Sequence, residues 1–307
     1  MPERHPPPVT RRAFIGGLAA LGAALAVGCG SPARPPATVV REQITYGDHP
    51  SQIGVLALPQ TPGPRPVMIL VHGGYWKLGI DHLELDELAD NLSQAGWAVW
   101  NIDYRRIGEG GGWPATLDDV AKAVDTLATL APAKPLDLTR VGILGHSAGG
   151  QLALWAAARP RFGAGERGAD PAVAPVAAVS LAGVVDLDLA ADATAPTENV
   201  VKLRDSVVSY LEGSPAQRPA RYAATSPARL LPLGIPQLLV HGAKDDVVPV
   251  EQSRAYVSAA ARTPDRVRLI ELPSADHADI IRIGKAGWNE VVNWLRANVG
   301  DPGAATG

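Results

Sequence analysis

The chain has 307 residues, long enough for one large α/β domain or two small ones, each with a full core. Its 46% hydrophobic and 19% charged residues, with 32 Gly and 28 Pro, exclude a largely disordered chain and point to a globular one with Pro/Gly-rich loops. Lys plus Arg (28) against Asp plus Glu (31) gives a net charge of −3 and no basic surface for nucleic acid, while the single Cys29 excludes an internal disulfide and a cysteine-built zinc or iron–sulfur site.

Residues 1–28 read as an export signal. Arg4, Arg11 and Arg12 precede an uncharged stretch over 13–27; it is shorter than the about 20 residues of a membrane span and suits the apolar region of a leader. Thr10-Arg11-Arg12-Ala13-Phe14-Ile15-Gly16 resembles the twin-arginine export motif, a receptor-read address. Ala26-Val27-Gly28-Cys29 resembles a bacterial lipobox, with Leu25 four rather than three residues before the cysteine, and Ala24-Leu25-Ala26 offers the competing A-x-A cleavage that would release a secreted or periplasmic protein. The reading adopted is a lipoprotein held on the outer side of the cell membrane through Cys29, because an unpaired exported cysteine otherwise has no use. Loss of the leader makes the chain more acidic, so lipid and not charge would supply any membrane attachment. Residues 29–38, with Pro32, Pro35 and Pro36, form an extended tether.

From residue 39 onward short apolar runs alternate with longer amphipathic stretches, the pattern of a mostly parallel sheet with helices on both faces. Residues 39–46 and 53–58 read as an antiparallel hairpin at the sheet edge, and 67–71, 98–102, 141–144, 176–181, 237–240 and 267–272 as further strands. Helices are expected over 84–95, from Leu117 along the stripe of Val120, Ala121, Val124, Leu127 and Ala128, and over 148–158, 251–261 and 284–298. Gly108 to Gly112 follows no phosphate-binding pattern and reads as a loop. An insertion over about 186–236 carries one amphipathic helix, 200–211, with Pro215 and Pro219 as breakers, and reads as a small cap over the substrate. The tail 300–307 is expected to fray.

The chemistry gathers at strand ends. Gly145-His146-Ser147-Ala148-Gly149 is a G-x-S-x-G directly after a strand and directly before an Ala/Leu-rich helix, the setting of a nucleophile elbow. A serine needs a base, and in this arrangement acid and base follow it in the chain. Of seven histidines only His241 and His277 do so; His241 reads as part of a turn, and His277, in the loop after the strand 267–272, as the base. Asp245 is the expected acid, with the adjacent Asp246 as runner-up and Asp186 as a remote third; Asp103, which precedes the serine, reads as a structural ligand of loop amides. His72-Gly73-Gly74-Tyr75-Trp76 follows the strand 67–71, where Gly73 and Gly74, with the amide of Ala148, are placed to hold an oxyanion. Tyr75 and Trp76 are pocket candidates, Trp76 alternatively a core residue. No H-E-x-x-H or Walker sequence occurs, so no metal or cofactor is expected.

With these residues in view the chain resembles an α/β-hydrolase over about 39–299. His72 to Trp76 with Gly145 to Gly150 is similar to the esterase groups that include arylformamidases, hormone-sensitive-lipase-like esterases and bifunctional deacetylase/feruloyl esterase-like proteins. The resemblance implies the α/β-hydrolase fold, a Ser147–Asp245–His277 triad, Gly73, Gly74 and Ala148 around the oxyanion, and a serine esterase without cofactor whose partner is a small-molecule ester. Gly150 stands where arylformamidases often have Ala. An arylformamidase-like amide hydrolase, a prolyl-oligopeptidase-like peptidase and a non-catalytic binding protein of the same fold are the alternatives, and neither the acyl and alcohol specificity nor the oligomeric state follows from the sequence.

Overall fold

A computed structural model describes Met1 and residues 37–193, 197–285 and 287–303. The leader, Cys29 and most of the tether lie outside the described residues. Eight strands form one sheet in the order β1-β2-β4-β3-β5-β6-β7-β8: β1 (Val39–Thr45), β2 (Ile53–Pro59), β3 (Arg65–Val71), β4 (Ala98–Ile102), β5 (Leu136–His146), β6 (Ala177–Leu181), β7 (Gln237–Gly242) and β8 (Val267–Leu272). The hairpin β1–β2 is antiparallel and occupies one edge as expected; β2 runs antiparallel to β4, and all other pairs are parallel.

Helices α1 (Asp86–Ala95), α2 (Ala115–Leu130), α3 (Ala148–Ala158) and α8 (Glu251–Ala260) are crossovers, and α9 (Trp288–Asn298) follows β8. The central strands β3, β4, β6 and β7 are buried along their whole length because both sides are covered. On β3, Val67, Ile69 and Val71 join the cluster that holds Leu117, Val120 and Val124 of α2 and Leu152 of α3. Met68 and Leu70, pointing the other way, join Leu88 and Leu92 of α1 and Val291 and Leu295 of α9. Trp100 of β4 fixes α2 by donating from Nε1 to the Ala123 carbonyl at 2.9 Å.

Several boundaries differ from the expectation. The stretch 82–85 is a tight turn before α1, and α9 starts at Trp288 because Gly284 and Gly287, at φ +81° and +103°, keep the chain out of helix. Among the described residues the insertion holds four helices and not one: α4 (Leu187–Ala191), α5 (Glu198–Tyr210), α6 (Pro219–Thr225) and α7 (Pro227–Leu230). Pro219 begins α6 where it was expected to break a helix, since the first turn needs no N–H from it. Pro302 is buried and its carbonyl accepts from Arg65 Nη1 at 3.1 Å.

The edge hairpin is locked to the sheet by steric fit. A Cβ on Gly54 of β2 would come within 2.4 Å of the Trp100 ring. Gly54→Ala is expected to destabilise the domain by about 1–3 kcal/mol, measured by denaturant unfolding; an unchanged midpoint would show that β2 yields freely.

Candidate active site

Strand β5 delivers His146 to the carboxyl edge of the sheet, and the chain reverses into α3 within one residue. That residue is Ser147, at φ +54° and ψ −119°, a conformation costing about 1–3 kcal/mol for a side chain other than glycine. Its backbone is pinned on both sides: its N–H donates to Leu181 O at 2.9 Å and its carbonyl accepts from Gly150 at 3.0 Å. The flanking glycines have no room for more. A Cβ on Gly145 would lie 2.0 Å from Gly149 O, and one on Gly149 2.1 Å from Val71 O. Ser147 itself retains 5% exposure.

Asp245 sits just past β7, with its side chain fully buried. Its Oδ1 accepts from the amides of Val247 (2.9 Å) and Val248 (2.8 Å), and its Oδ2 lies 2.7 Å from His277 Nδ1. His241 reaches the same oxygen at 3.4 Å, but its Nε2 is only 2.8 Å from Val248 O and its Nδ1 2.7 Å from Ser253 Oγ, so it braces the turn and adds electrostatic support. Burial opposes the charge on Asp245, yet the histidine and amide contacts outweigh it and hold the carboxyl well below the usual range. His277 is pushed below its ordinary value, chiefly by burial and further by nearby His146, with Asp245 pulling the other way.

The two loops are packed backbone to backbone, Ala243 N donating to Leu272 O at 2.9 Å and Lys244 N to Ala275 O at 3.1 Å. Asp246 is exposed and turns away, within 3.2 Å of Asn199 Nδ2 on α5. Asp186 caps α4 through Leu189 N at 3.0 Å. Neither meets His277 in a hydrogen bond of this geometry, so the structure separates the three aspartates.

His277 is brought to the serine turn through its neighbour: the His146 and His277 rings lie 4.7 Å apart, and His146 Nε2 is 3.3 Å from the His277 carbonyl. The loop after β3 closes the other side, since a Cβ on Gly73 would sit 3.1 Å from Ser147 Cβ. One expectation changes here. The Gly73 amide donates to Glu84 Oε2 at 2.6 Å, so its hydrogen is engaged, and Gly74 and Ala148 are the amides left from the expected set. Trp76 is not a pocket residue. It is fully buried, donates to Gln151 Oε1 at 3.0 Å and stacks on Tyr210 at 4.7 Å. Tyr75 stays half-buried beneath Lys202 of α5, whose Nζ stands 4.5 Å from the ring centre, so the insertion reaches this loop. The Glu84–His146 contact, 3.1 Å between Oε1 and Nδ1, was invisible in the sequence because 62 positions separate the partners.

Asp103 supports the loop from below. It accepts from Tyr104 N (2.8 Å) and meets His72 Nε2 (2.9 Å), while Tyr104 stacks on His72 at 4.2 Å and donates to His72 O at 2.9 Å. Burial would raise its pKa; His72, the Arg106 charge and His82, whose Nδ1 is 3.9 Å away, hold it well below the usual range instead. A carboxyl with a folded pKa below its unfolded one stabilises fully above the unfolded value and loses that contribution as pH falls toward the folded value. Asp103→Asn should therefore cost about 2 kcal/mol at neutral pH, with a smaller gap from wild type at pH about 3. Denaturant unfolding at the two pH values checks this; an equal gap at both would show that the charge contributes nothing.

The BD-FAE family matches residues 55–259, which include the serine turn and Asp245. Esterase LipC of Mycobacterium tuberculosis is 31% identical over 252 residues, covering 78% of this chain and 60% of LipC. Esterase LipQ of the same organism is 32% identical over 229 residues, 71% of this chain and 51% of LipQ, so the chain spans about half to three-fifths of these relatives. Among solved structures, a truncated carbohydrate esterase from gut microbiota superposes with a TM-score of 0.72 at 20% identity, covering 86% of this chain and 97% of that one, a likeness of fold. Eight strands, mostly parallel, helices on both faces and this family match agree: the chain is an α/β-hydrolase that belongs to the BD-FAE family.

Proposed function

We propose that this protein is a serine esterase that cleaves carboxylic esters through an acyl-enzyme. The observation that carries the reading is the 2.7 Å His277–Asp245 pair, set beside a serine held in a left-handed turn. Asp245 fixes the Nδ1–H tautomer of His277 and leaves Nε2 free to take the Ser147 hydroxyl proton. Oγ then attacks the ester carbonyl, and the negative oxygen is received by the amides of Gly74 and Ala148. His277 returns the proton to the departing alcohol, and water, activated by the same ring, releases the acid. The depressed pKa of His277 keeps the ring neutral and able to accept a proton at neutral pH. LipC and LipQ, both named esterases, support ester over amide as the substrate class. The insertion, through Lys202 over Tyr75, is the element from which acyl or alcohol selectivity would come.

A fluorophosphonate should label Ser147, and Ser147→Ala should abolish both labelling and ester turnover; labelling that survives the substitution would remove Ser147 from the mechanism. Asp245→Asn should lower kcat by about 10⁴ by analogy with the serine protease triad. Asp246→Asn should leave kcat nearly unchanged, and the reverse ranking would reassign the acid.

We place the protein outside the cytoplasm, anchored through lipid on Cys29. Each buried CH₂ of an acyl chain contributes about 0.8 kcal/mol, and stable anchoring needs more than one chain. Cys29→Ser should move esterase activity from the membrane pellet to the soluble exported fraction with kcat unchanged. Equal solubility of the two forms would favour cleavage after Ala26.

A further inference from the structure

Glu84 is a largely buried carboxylate that the reaction does not use, with 13% side-chain exposure, and it contacts the residue before Ser147 and the residue before Gly74. One oxygen accepts from the Gly73 amide at 2.6 Å, on the loop that carries Gly74. The other meets Nδ1 of His146 at 3.1 Å, on the residue preceding Ser147. His146 in turn packs its ring against His277 and sets Nε2 3.3 Å from the His277 carbonyl. We infer that Glu84 is a positioning residue, a hydrogen-bonded clamp that ties the oxyanion loop to the nucleophile turn and, through the packing of the His146 ring, steadies the loop of the base.

The clamp is mounted rigidly. Glu84 lies in the turn His82–Leu85, whose start is capped by Asp81 accepting from Leu83 N at 2.9 Å. Asn101 of β4 holds the turn from the sheet, donating Nδ2 to His82 O at 2.8 Å and to Asp86 Oδ1 at 3.1 Å. Burial works against the charge on Glu84, but His146 and the Gly73 amide outweigh it, and the group stays ionised at neutral pH. A neutral imidazole donates from one nitrogen only; with that proton on Nδ1 toward the Glu84 carboxylate, His146 meets the His277 loop through ring packing and not through a second hydrogen bond. Without Glu84 the Gly73 amide and His146 lose their common partner, and the loop bearing Gly74 is free to drift from the position an oxyanion occupies.

Substitutions can separate geometry from charge. In Glu84→Gln the side-chain carbonyl accepts from Gly73 while the NH₂ donates to Nδ1 of His146, whose ring then carries its proton on Nε2 toward the His277 carbonyl. Both contacts of the side chain survive without the charge. Glu84→Ala keeps none, and Glu84→Asp is too short to span both partners.

The test rests on Ser147 being the nucleophile and compares wild type, Glu84→Gln, Glu84→Ala and Glu84→Asp. Steady-state hydrolysis of a short-chain p-nitrophenyl ester is normalised to Ser147 sites titrated with fluorophosphonate, so that misfolded protein is not counted. For Glu84→Ala, kcat per site should fall about 10- to 100-fold, the scale of a misplaced catalytic group, with KM changed by no more than about threefold. Glu84→Gln should restore kcat to within about threefold of wild type, and should Glu84→Ala not fold, Glu84→Asp should show the same loss. Amide exchange at Gly73, followed by NMR, should be slow in wild type and Glu84→Gln and fast in Glu84→Ala or Glu84→Asp. The clamp is overturned if kcat per site is unchanged without Glu84, if Glu84→Gln loses as much as Glu84→Ala, or if Gly73 exchange is the same in all forms. Slow exchange at Gly73 in a wild type that neither labels nor turns over would instead overturn the nucleophile reading and leave the clamp standing.

Discussion

The constraint on which the rest depends is the reversal of the chain at Ser147. A strand in the middle of the sheet must turn into a helix in one residue, and the only backbone that does so places a non-glycine residue at positive φ. Such a conformation persists only where its surroundings over-determine it. Here they do: the Ser147 N–H and carbonyl are both bonded, and the backbone of β3 and α3 approaches so closely that Gly145 and Gly149 could carry no Cβ. The position of the serine at the apex of the turn is thus a by-product of dense packing beneath it.

The site built around that turn depends on buried charges, and each is paired. Removing a carboxylate from water is expensive unless hydrogen bonds replace the lost hydration. Asp245 has His277 and two amides, Asp103 has His72, an amide and Arg106, and Glu84 has His146 and an amide. In all three, burial pushes toward the neutral acid and the partners reverse it. Three loops from three strand ends are fixed in this way, each by a carboxylate that binds backbone and imidazole together. Arranging all three in advance is what lets an active site avoid reorganisation when charge develops.

The insertion between β6 and β7 is organised differently. Its longest helix, α5, is capped by Thr197, α6 is begun by Pro219, and its contacts with the site loops are Lys202 over Tyr75, Asn199 beside Asp246 and Tyr210 stacked on Trp76. Exposed polar contacts of this kind are individually worth little, whereas the Trp76–Tyr210 stack buries a large aromatic surface. The same loop therefore holds one aromatic residue for the core and one for the solvent side.

Much of this was legible in the sequence. Strand and helix periodicity, the glycines around Ser147 and the position of His277 after β8 are local signals, because a pleat, a helical face or a one-residue turn is decided by residues adjacent in the chain. Asp245 against Asp246 was a preference on the page of the sequence, and only the folded turn, with its amides on one carboxylate and Asn199 on the other, separated them. Trp76 as core, the engaged Gly73 amide, the four helices of the insertion and the packed Pro302 were decided by contacts between distant segments. Composition and local patterning determined a mostly parallel sheet covered by helices and a G-x-S-x-G turn between strand and helix; the tertiary structure alone determined which neighbours each polar group has, since pairs such as Glu84 and His146 meet only after the sheet has brought separate strand ends together.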